Sequence, residues 1–413
     1  MWLINKNGQG MGTRITACIG SRLVPILLCL CISPLLHAAM LVEKQRFEIP
    51  TFSTFGGKTI NNVQVGWESY GQLNADKSNV ILITHYFTGN SHAAGKYAES
   101  DQQAGYWDYL IGPGKTIDTN KFFVISVDSL ANVGVHNPNV ITTGPASINP
   151  QTGKAYGLTF PVVTIRDFVN VQKALLESLG IQHLHAVIGA SMGSMQALDW
   201  ALAYPDWVER LVSVIGTGES DAWTTLQLQQ WATPIRLDKN WNNGDYYAST
   251  PPIDGLTAVL MSMTQVSMHP QAIARLQPNH QPLEAAPLQD INANHKVVDW
   301  LHNIASARAK EMDANHVLYL VRANQLFVGG HQQPLVDAVK RIKAKSLIMP
   351  ASNDLLLMPY QGQALYNALI NANKNATYQE LEGDMGHLTG VTGMAQQAAL
   401  LQQFLLSEDS LND

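Results

Sequence analysis

Cysteine is nearly missing from this chain of 413 residues: Cys18, Cys29 and Cys31 are all there is, and all lie in the first 38 positions. Beyond them, disulfides, thiolate metal sites and a cysteine nucleophile are excluded together. Charge is also sparse, at 14% of residues, and it leans acidic, with a formal net charge of −6. That balance excludes nucleic acid and anionic membrane surfaces as expected partners. After the first 38 residues no apolar run approaches the roughly 18 residues of a membrane span. No H-E-x-x-H is present and the scattered histidines lack ligand spacing, so no metal is expected. Gly112-Pro113-Gly114-Lys115-Thr116 ends like a phosphate-binding loop. Tyr109 stands where the first glycine of that loop belongs and no strand precedes it, so no nucleotide cofactor is expected either.

The first 38 residues read as a secretory signal peptide. Lys6, Arg14 and Arg22 form a basic lead, Leu23 to Ile32 an apolar core, and Leu36-His37-Ala38-Ala39 a small-residue cleavage site. Met11 is an alternative start. The expected location is therefore exported, periplasmic or secreted, with no stable membrane insertion once the leader is cut. Removing its three cations takes the formal net charge from −6 to −9. Such a cysteine-free domain must be held by its apolar core, which a chain of this length can bury.

Short, β-branched apolar runs recur: Val80–Thr84, Phe122–Val127, Ala186–Ile188, Leu211–Ile215 and Ser346–Met349. Runs apolar on both faces suit strands of a parallel sheet covered on both sides. Helical patterns alternate with them. In the clearest, Thr164 and Asp167 make a capping box, Phe168, Val171, Leu175, Leu176 and Leu179 repeat at helical spacing, and Gly180 stops the helix. The fold class expected is α/β, a mostly parallel central sheet flanked by helices. Residues 218–343 break the rhythm with helical pieces rich in Gln, Asn, Met, Trp and His, and read as a helical cap inserted into the core. The expected division is 1–38 leader, 39–217 first part of the core, 218–343 cap, and 344–413 second part of the core.

Within that core, Gly189-Ala190-Ser191-Met192-Gly193 follows an apolar strand and precedes a helical run read as amphipathic, Ser194 to Leu202. Strand, G-x-S-x-G and helix in that order form the nucleophile elbow of an α/β-hydrolase, with the serine lifted above the sheet on a tight turn. A serine needs a base, and the base a carboxylate to fix its tautomer. The candidate base is His387, in the glycine-flanked loop Gly383-Asp384-Met385-Gly386-His387. The candidate acid is Asp354, just past the strand ending at Met349. Asp384, three residues from the histidine, is its rival, with Glu380 and Glu382 in a strand-like run behind. An oxyanion hole needs two N–H donors, one from the residue after the nucleophile. These are assigned to the Met192 and Phe87 backbones, with Tyr86 as the alternative to Phe87; His85 is read as structural.

Several segments then carry a family likeness. They include Tyr70-Gly71-Gln72-Leu73-Asn74, His85 to His92, Trp107 to Lys115, Gly144 to Pro150, Phe160 to Asp167, the elbow with Met195-Gln196-Ala197-Leu198, and Trp241 to Tyr247. In that order they resemble the homoserine O-acetyltransferase family of α/β-hydrolases across nearly all of the chain after the leader. The resemblance implies a Ser191, Asp354, His387 triad, acyl transfer from acetyl-CoA to homoserine through an acyl-enzyme, and a homodimer joined through the cap. The chain departs from the family at Ala232, where an arginine is usual, at Leu388 and Val328, where aspartates are usual, and at Ser194, where glycine is usual. Losing a guanidinium and two carboxylates removes the groups suited to a zwitterionic amino acid. Acetyl-CoA is a cytoplasmic metabolite, which an exported enzyme would lack. The expected function is accordingly an exported ester hydrolase, or an acyltransferase to another acceptor, acting on a small-molecule ester. A genuine homoserine O-acetyltransferase and a non-catalytic binding protein of this fold are the alternatives.

Overall fold

The computed structural model describes residues 40–277, 285–331 and 333–407; the leader expected over 1–38 lies outside them. In chain order the strands are β1 (Gln45–Ser53), β2 (Thr59–Tyr70), β3 (Val80–Thr84), β4 (Ile111–Gly112), β5 (Ile117–Asp118), β6 (Phe123–Val127), β7 (Ala186–Ala190), β8 (Arg210–Val214), β9 (Lys345–Met349) and β10 (Ala376–Tyr378). All but β4 and β5 join one sheet in the order β1-β2-β6-β3-β7-β8-β9-β10. β2 runs antiparallel to both of its neighbours; every other pairing in the sheet is parallel. The segment that resembled a phosphate loop is the β4–β5 turn, where Lys115 pairs with Asp108 at 3.1 Å.

The five apolar runs read from the sequence are five of these strands. β3, β7 and β8 are buried at every position, because helices cover both faces of the sheet. β1 and β2 escaped the sequence reading for a physical reason. They are an antiparallel pair whose outer part has one face toward water, so Ile60 and Val63 are buried between exposed or half-buried neighbours. A search for continuous apolar runs passes over such alternation.

Helix α1 (Ile165–Ser178) starts and stops where its capping signals lie. The Thr164 N–H donates to Asp167 Oδ2 at 2.7 Å. At the other end Gly180 takes φ +68°, and its N–H and that of Ile181 donate to the carbonyls of Glu177 and Leu176, each at 2.9 Å. This is the paired closing bond of a Schellman stop. α2 (Met192–Ala203) corrects the sequence reading: every residue from Met192 to Leu202 is buried, so the helix is enclosed rather than amphipathic. It packs against the sheet and against α1, to which the Gln172 amide ties it by a 2.7 Å bond to Gln196.

Between β8 and β9 the chain leaves the core as α3 (Ala222–Leu237), α4 (Ile253–Ser267), α5 (Pro270–Leu276), α6 (Ala285–Gln289), α7 (Lys296–Ala309) and α8 (Ala314–Gln325). The excursion opens and closes at a narrow neck: Ser220 N–H donates to Phe327 O at 2.8 Å and Gly329 N–H to Gly218 O at 2.9 Å. The neck therefore closes well before residue 343. α9 (Leu335–Ala338), which follows it, packs on α10 (Pro359–Asn371) of the core. α11 (Thr389–Thr392) and α12 (Ala398–Leu406) complete the chain. Among the described residues no helix is long and apolar enough to cross a membrane.

One buried ionic cluster braces the core near the loop that follows β3. Glu68 is fully buried and accepts from Tyr70 Oη at 2.8 Å, Tyr97 Oη at 2.7 Å and His92 Nδ1 at 3.0 Å, and pairs with Lys44 at 2.7 Å. Burial opposes its ionisation, but the His92 hydrogen bond and the Lys44 charge outweigh burial and hold the carboxyl at about 2. A depressed pKa contributes stability above the unfolded value of 4.5, and that stability is lost as pH falls toward 2. By this linkage the group is worth about 3 kcal/mol at neutral pH. Glu68→Gln is expected to lower the melting temperature markedly at pH 7 and much less at pH 2.5, measured by thermal unfolding at the two pH values. An equal difference at both would refute the assignment.

Candidate active site

The sheet reverses its winding beside β3, whose neighbours β6 and β7 follow it in sequence on opposite sides. Such a point opens a crevice at the carboxyl ends of the strands. Three of the predicted residues sit on loops at those ends. Ser191 follows β7 with φ 58° and ψ −123°, a strained conformation for a non-glycine residue that persists only where its surroundings enforce it. They do so by contact with β3. A Cβ on Gly193 would lie 2.1 Å from Thr84 O, and one on Gly189 would lie 2.1 Å from Gly193 O and 2.2 Å from Thr84 Oγ1. The Thr84 hydroxyl donates to Gly193 O at 2.7 Å, so the turn is pinned on the end of the neighbouring strand. Ser194, at the family's usual glycine, donates its hydroxyl to Ser191 O at 2.6 Å.

His387 and Asp354 meet this serine, although 196 and 33 residues separate the histidine from its two partners. Asp354 Oδ1 is held by the Leu356 and Leu357 N–H groups at 2.8 and 3.1 Å. Its Oδ2 accepts from His387 Nδ1 at 2.6 Å. With the hydrogen on Nδ1, Nε2 is left to accept the Ser191 hydroxyl at 2.8 Å. All three side chains are buried, which strengthens each electrostatic contact by excluding water. The chain of bonds can take the serine proton and stabilise the imidazolium that results. Asp354→Asn is expected to lower kcat about 10⁴-fold in an ester-hydrolysis assay, because an amide can hold the wrong tautomer. A loss below tenfold would remove Asp354 from this role.

The rival acids are engaged elsewhere. Asp384 forms an ion pair with Arg275, Glu382 accepts from Ser352 Oγ at 3.2 Å, and Glu380 accepts from Tyr378 Oη at 2.8 Å. The last two lie beyond β10, so the strand-like run ends earlier than the sequence reading had it.

Met192 opens α2, so its N–H is one of the first-turn donors that a helix leaves unpaired. Among the described residues neither this N–H nor that of Phe87 donates to a protein acceptor. Both remain free for an oxyanion. Phe87 is further seated by its ring, which meets Trp231 of α3 edge-on at 5.5 Å. The alternative, Tyr86, likewise has no protein acceptor for its N–H among the described residues; its ring turns toward Tyr106 at 5.1 Å and its carbonyl accepts from His85 Nδ1 at 2.8 Å. His85 is thus a bracing residue, as the sequence reading placed it. The sequence reading missed its partners Asn132 and Gln196, which have no local signature and come near only through the fold.

Of the other three departures from the family pattern, Leu388 shares a 3-10 turn, Gly386–Leu388, with the candidate base. Ala232 is buried within α3, and Val328 bridges Glu219 in the neck of the cap.

Residues 144–393 match the α/β hydrolase fold family. With a serine on the turn after β7 and its partners on the loops beyond β9 and β10, the molecule is an α/β-hydrolase. The homoserine O-acetyltransferase of Methanohalobium evestigatum is 38% identical to it over 370 residues, covering 88% of this chain and 73% of that protein. The crystal structure of homoserine O-acetyltransferase from Bacillus anthracis is 37% identical with a TM-score of 0.87, covering 90% of this chain and 99% of the other. That of esterase E22 is 61% identical with a TM-score of 0.87, covering 88% and 100%. The chain belongs to the homoserine O-acetyltransferase family of α/β-hydrolases, and is an enzyme of its acyltransferase and esterase type.

Proposed function

We propose that this chain is an exported serine ester hydrolase working on the scaffold of an acetyltransferase. The observation that carries the reading is the unbroken Asp354–His387–Ser191 chain of hydrogen bonds. Ser191 Oγ attacks the ester carbonyl while His387 takes its proton, and the Phe87 and Met192 N–H groups hold the oxyanion. Collapse breaks the bond to the alcohol, which leaves with the proton from His387. Water, deprotonated by the same imidazole, then releases the carboxylic acid and restores Ser191. Leu388 beside the base, where the family usually has an aspartate, favours water over an amino-acid acceptor, as does 61% identity to an esterase. The leader pattern over 1–38 supports export.

A second reading, a true homoserine O-acetyltransferase, is favoured by relatives of that name at 37–38% identity over more than 80% of the chain. One pair of assays separates the two. The purified protein is expected to hydrolyse p-nitrophenyl acetate and to form no O-acetylhomoserine from acetyl-CoA and homoserine. Acetyl-CoA-dependent acetylation of homoserine at a comparable rate would establish the second reading instead.

A further inference from the structure

The turn Tyr86-Phe87-Thr88-Gly89 is gripped at both ends by side chains outside the Ser–His–Asp set. A trans peptide is planar, so its carbonyl and the following N–H point in opposite, mutually fixed directions. The Tyr86 carbonyl accepts from His85 Nδ1 at 2.8 Å and from Gly89 N–H at 2.9 Å. Holding that oxygen holds the plane of the Tyr86–Phe87 peptide, and with it the direction of the Phe87 N–H.

The His85 ring is itself fixed. Ser129 N–H donates to its Nε2 at 3.0 Å, so Nε2 carries no hydrogen and Nδ1 is the donor to Tyr86. Full burial lowers the histidine's pKa and keeps the ring neutral, although the Tyr86 hydrogen bond works the other way. At the far end of the turn, Asn132 Nδ2 donates to Gly89 O at 2.9 Å. The Asn132 carbonyl in turn accepts from His316 Nδ1, on cap helix α8, at 2.8 Å. Gln196 on α2 donates to His85 O at 3.2 Å and to Met192 O at 3.5 Å, linking the two backbones that supply the oxyanion donors.

We propose that His85 is a positioning residue that aims the Phe87 N–H at the oxyanion through the Tyr86 carbonyl, with Asn132 fixing the other end of the same turn. The inference rests on the serine acyl-transfer reading above. An oxyanion donor acts on the transition state more than on bound substrate, so misaiming it lowers kcat and spares KM.

Two replacements separate the ring's two bonds. His85→Asn places an amide N–H near Nδ1 and keeps the donor to Tyr86; His85→Gln keeps only the acceptor for Ser129. With p-nitrophenyl acetate as probe, His85→Gln is expected to lose about 100-fold in kcat with KM changed less than about threefold. His85→Asn is expected to stay within about tenfold of the parent. Equal losses in the two, or a loss carried by KM, would overturn the proposal. Asn132→Ala is the independent arm, expected to lower kcat selectively by about tenfold or more. Unchanged kcat in Asn132→Ala overturns the proposal even where both His85 variants fail to fold. Activity surviving in Ser191→Ala marks the different failure, that of the serine reading itself.

Discussion

Replacing Ser191 with alanine is expected to lower kcat for p-nitrophenyl acetate by about 10⁵- to 10⁶-fold, the largest effect of any substitution in this protein. In the proposed mechanism the serine supplies the atom that bonds to the substrate, and no hydroxyl in the described structure shares its contact with His387 Nε2. Because nucleophile and base act as one unit, His387→Ala should cost nearly as much, and the double variant little more than either alone. Rapid mixing supplies a second readout, since a stoichiometric burst of p-nitrophenolate reports an acyl-enzyme and should vanish in Ser191→Ala. A residual rate within tenfold of the parent would show that hydrolysis runs elsewhere. The folded state should be little affected: Ser191 lies at the strained φ of 58°, and alanine offers the backbone no more freedom there.

Gly193→Ala is expected to destabilise the fold by about 3 kcal/mol or more, lowering the melting temperature by about 5 °C or more and removing esterase activity with it. The added Cβ would sit 2.1 Å from Thr84 O and 2.8 Å from Thr84 C, backbone atoms rather than a side chain that could swing aside. β3 cannot retreat, since it is hydrogen-bonded to β6 on one side and β7 on the other. Gly114→Ala is the matched control. A Cβ there meets nothing within 4 Å, and its φ of +71° leaves only the conformational penalty, about 1 kcal/mol. Similar melting temperatures for the two variants would refute the close-contact account of the elbow.

Both expectations concern residues that the amino-acid sequence alone marks out. Ser191 and its flanking glycines stand together within five positions, and local spacing is enough to mark a turn that needs both bulk removed and a nucleophile raised. The buried parallel strands are legible because a strand covered on both faces must be apolar throughout, as β3, β7 and β8 are. The stop of α1 at Gly180 is legible because a left-handed cap demands glycine locally. Where exposure breaks up the apolar run, as in β1 and the first half of β2, a search for continuous apolar runs does not separate strand from loop. Enclosure of α2 on all sides is hidden too, since what lies over a helix is decided by other segments.

By itself, then, the sequence marked the candidate nucleophile, the sheet's central strands and the family likeness, each written in short contiguous segments. It could only rank Asp354 above Asp384, Glu380 and Glu382 as the acid. Tertiary structure decided how these groups are engaged: Oδ2 of Asp354 lies 2.6 Å from His387 Nδ1, while Asp384 is paired with Arg275 and the glutamates with their own neighbours. It also decided that His85 and Asn132 bond to the two ends of the turn from Tyr86 to Gly89, and that Gln196 joins His85 to the first residue of α2. The physical reason is that a hydrogen bond acts over about 3 Å, and which distant residues come within that reach is set by the packing of the whole sheet.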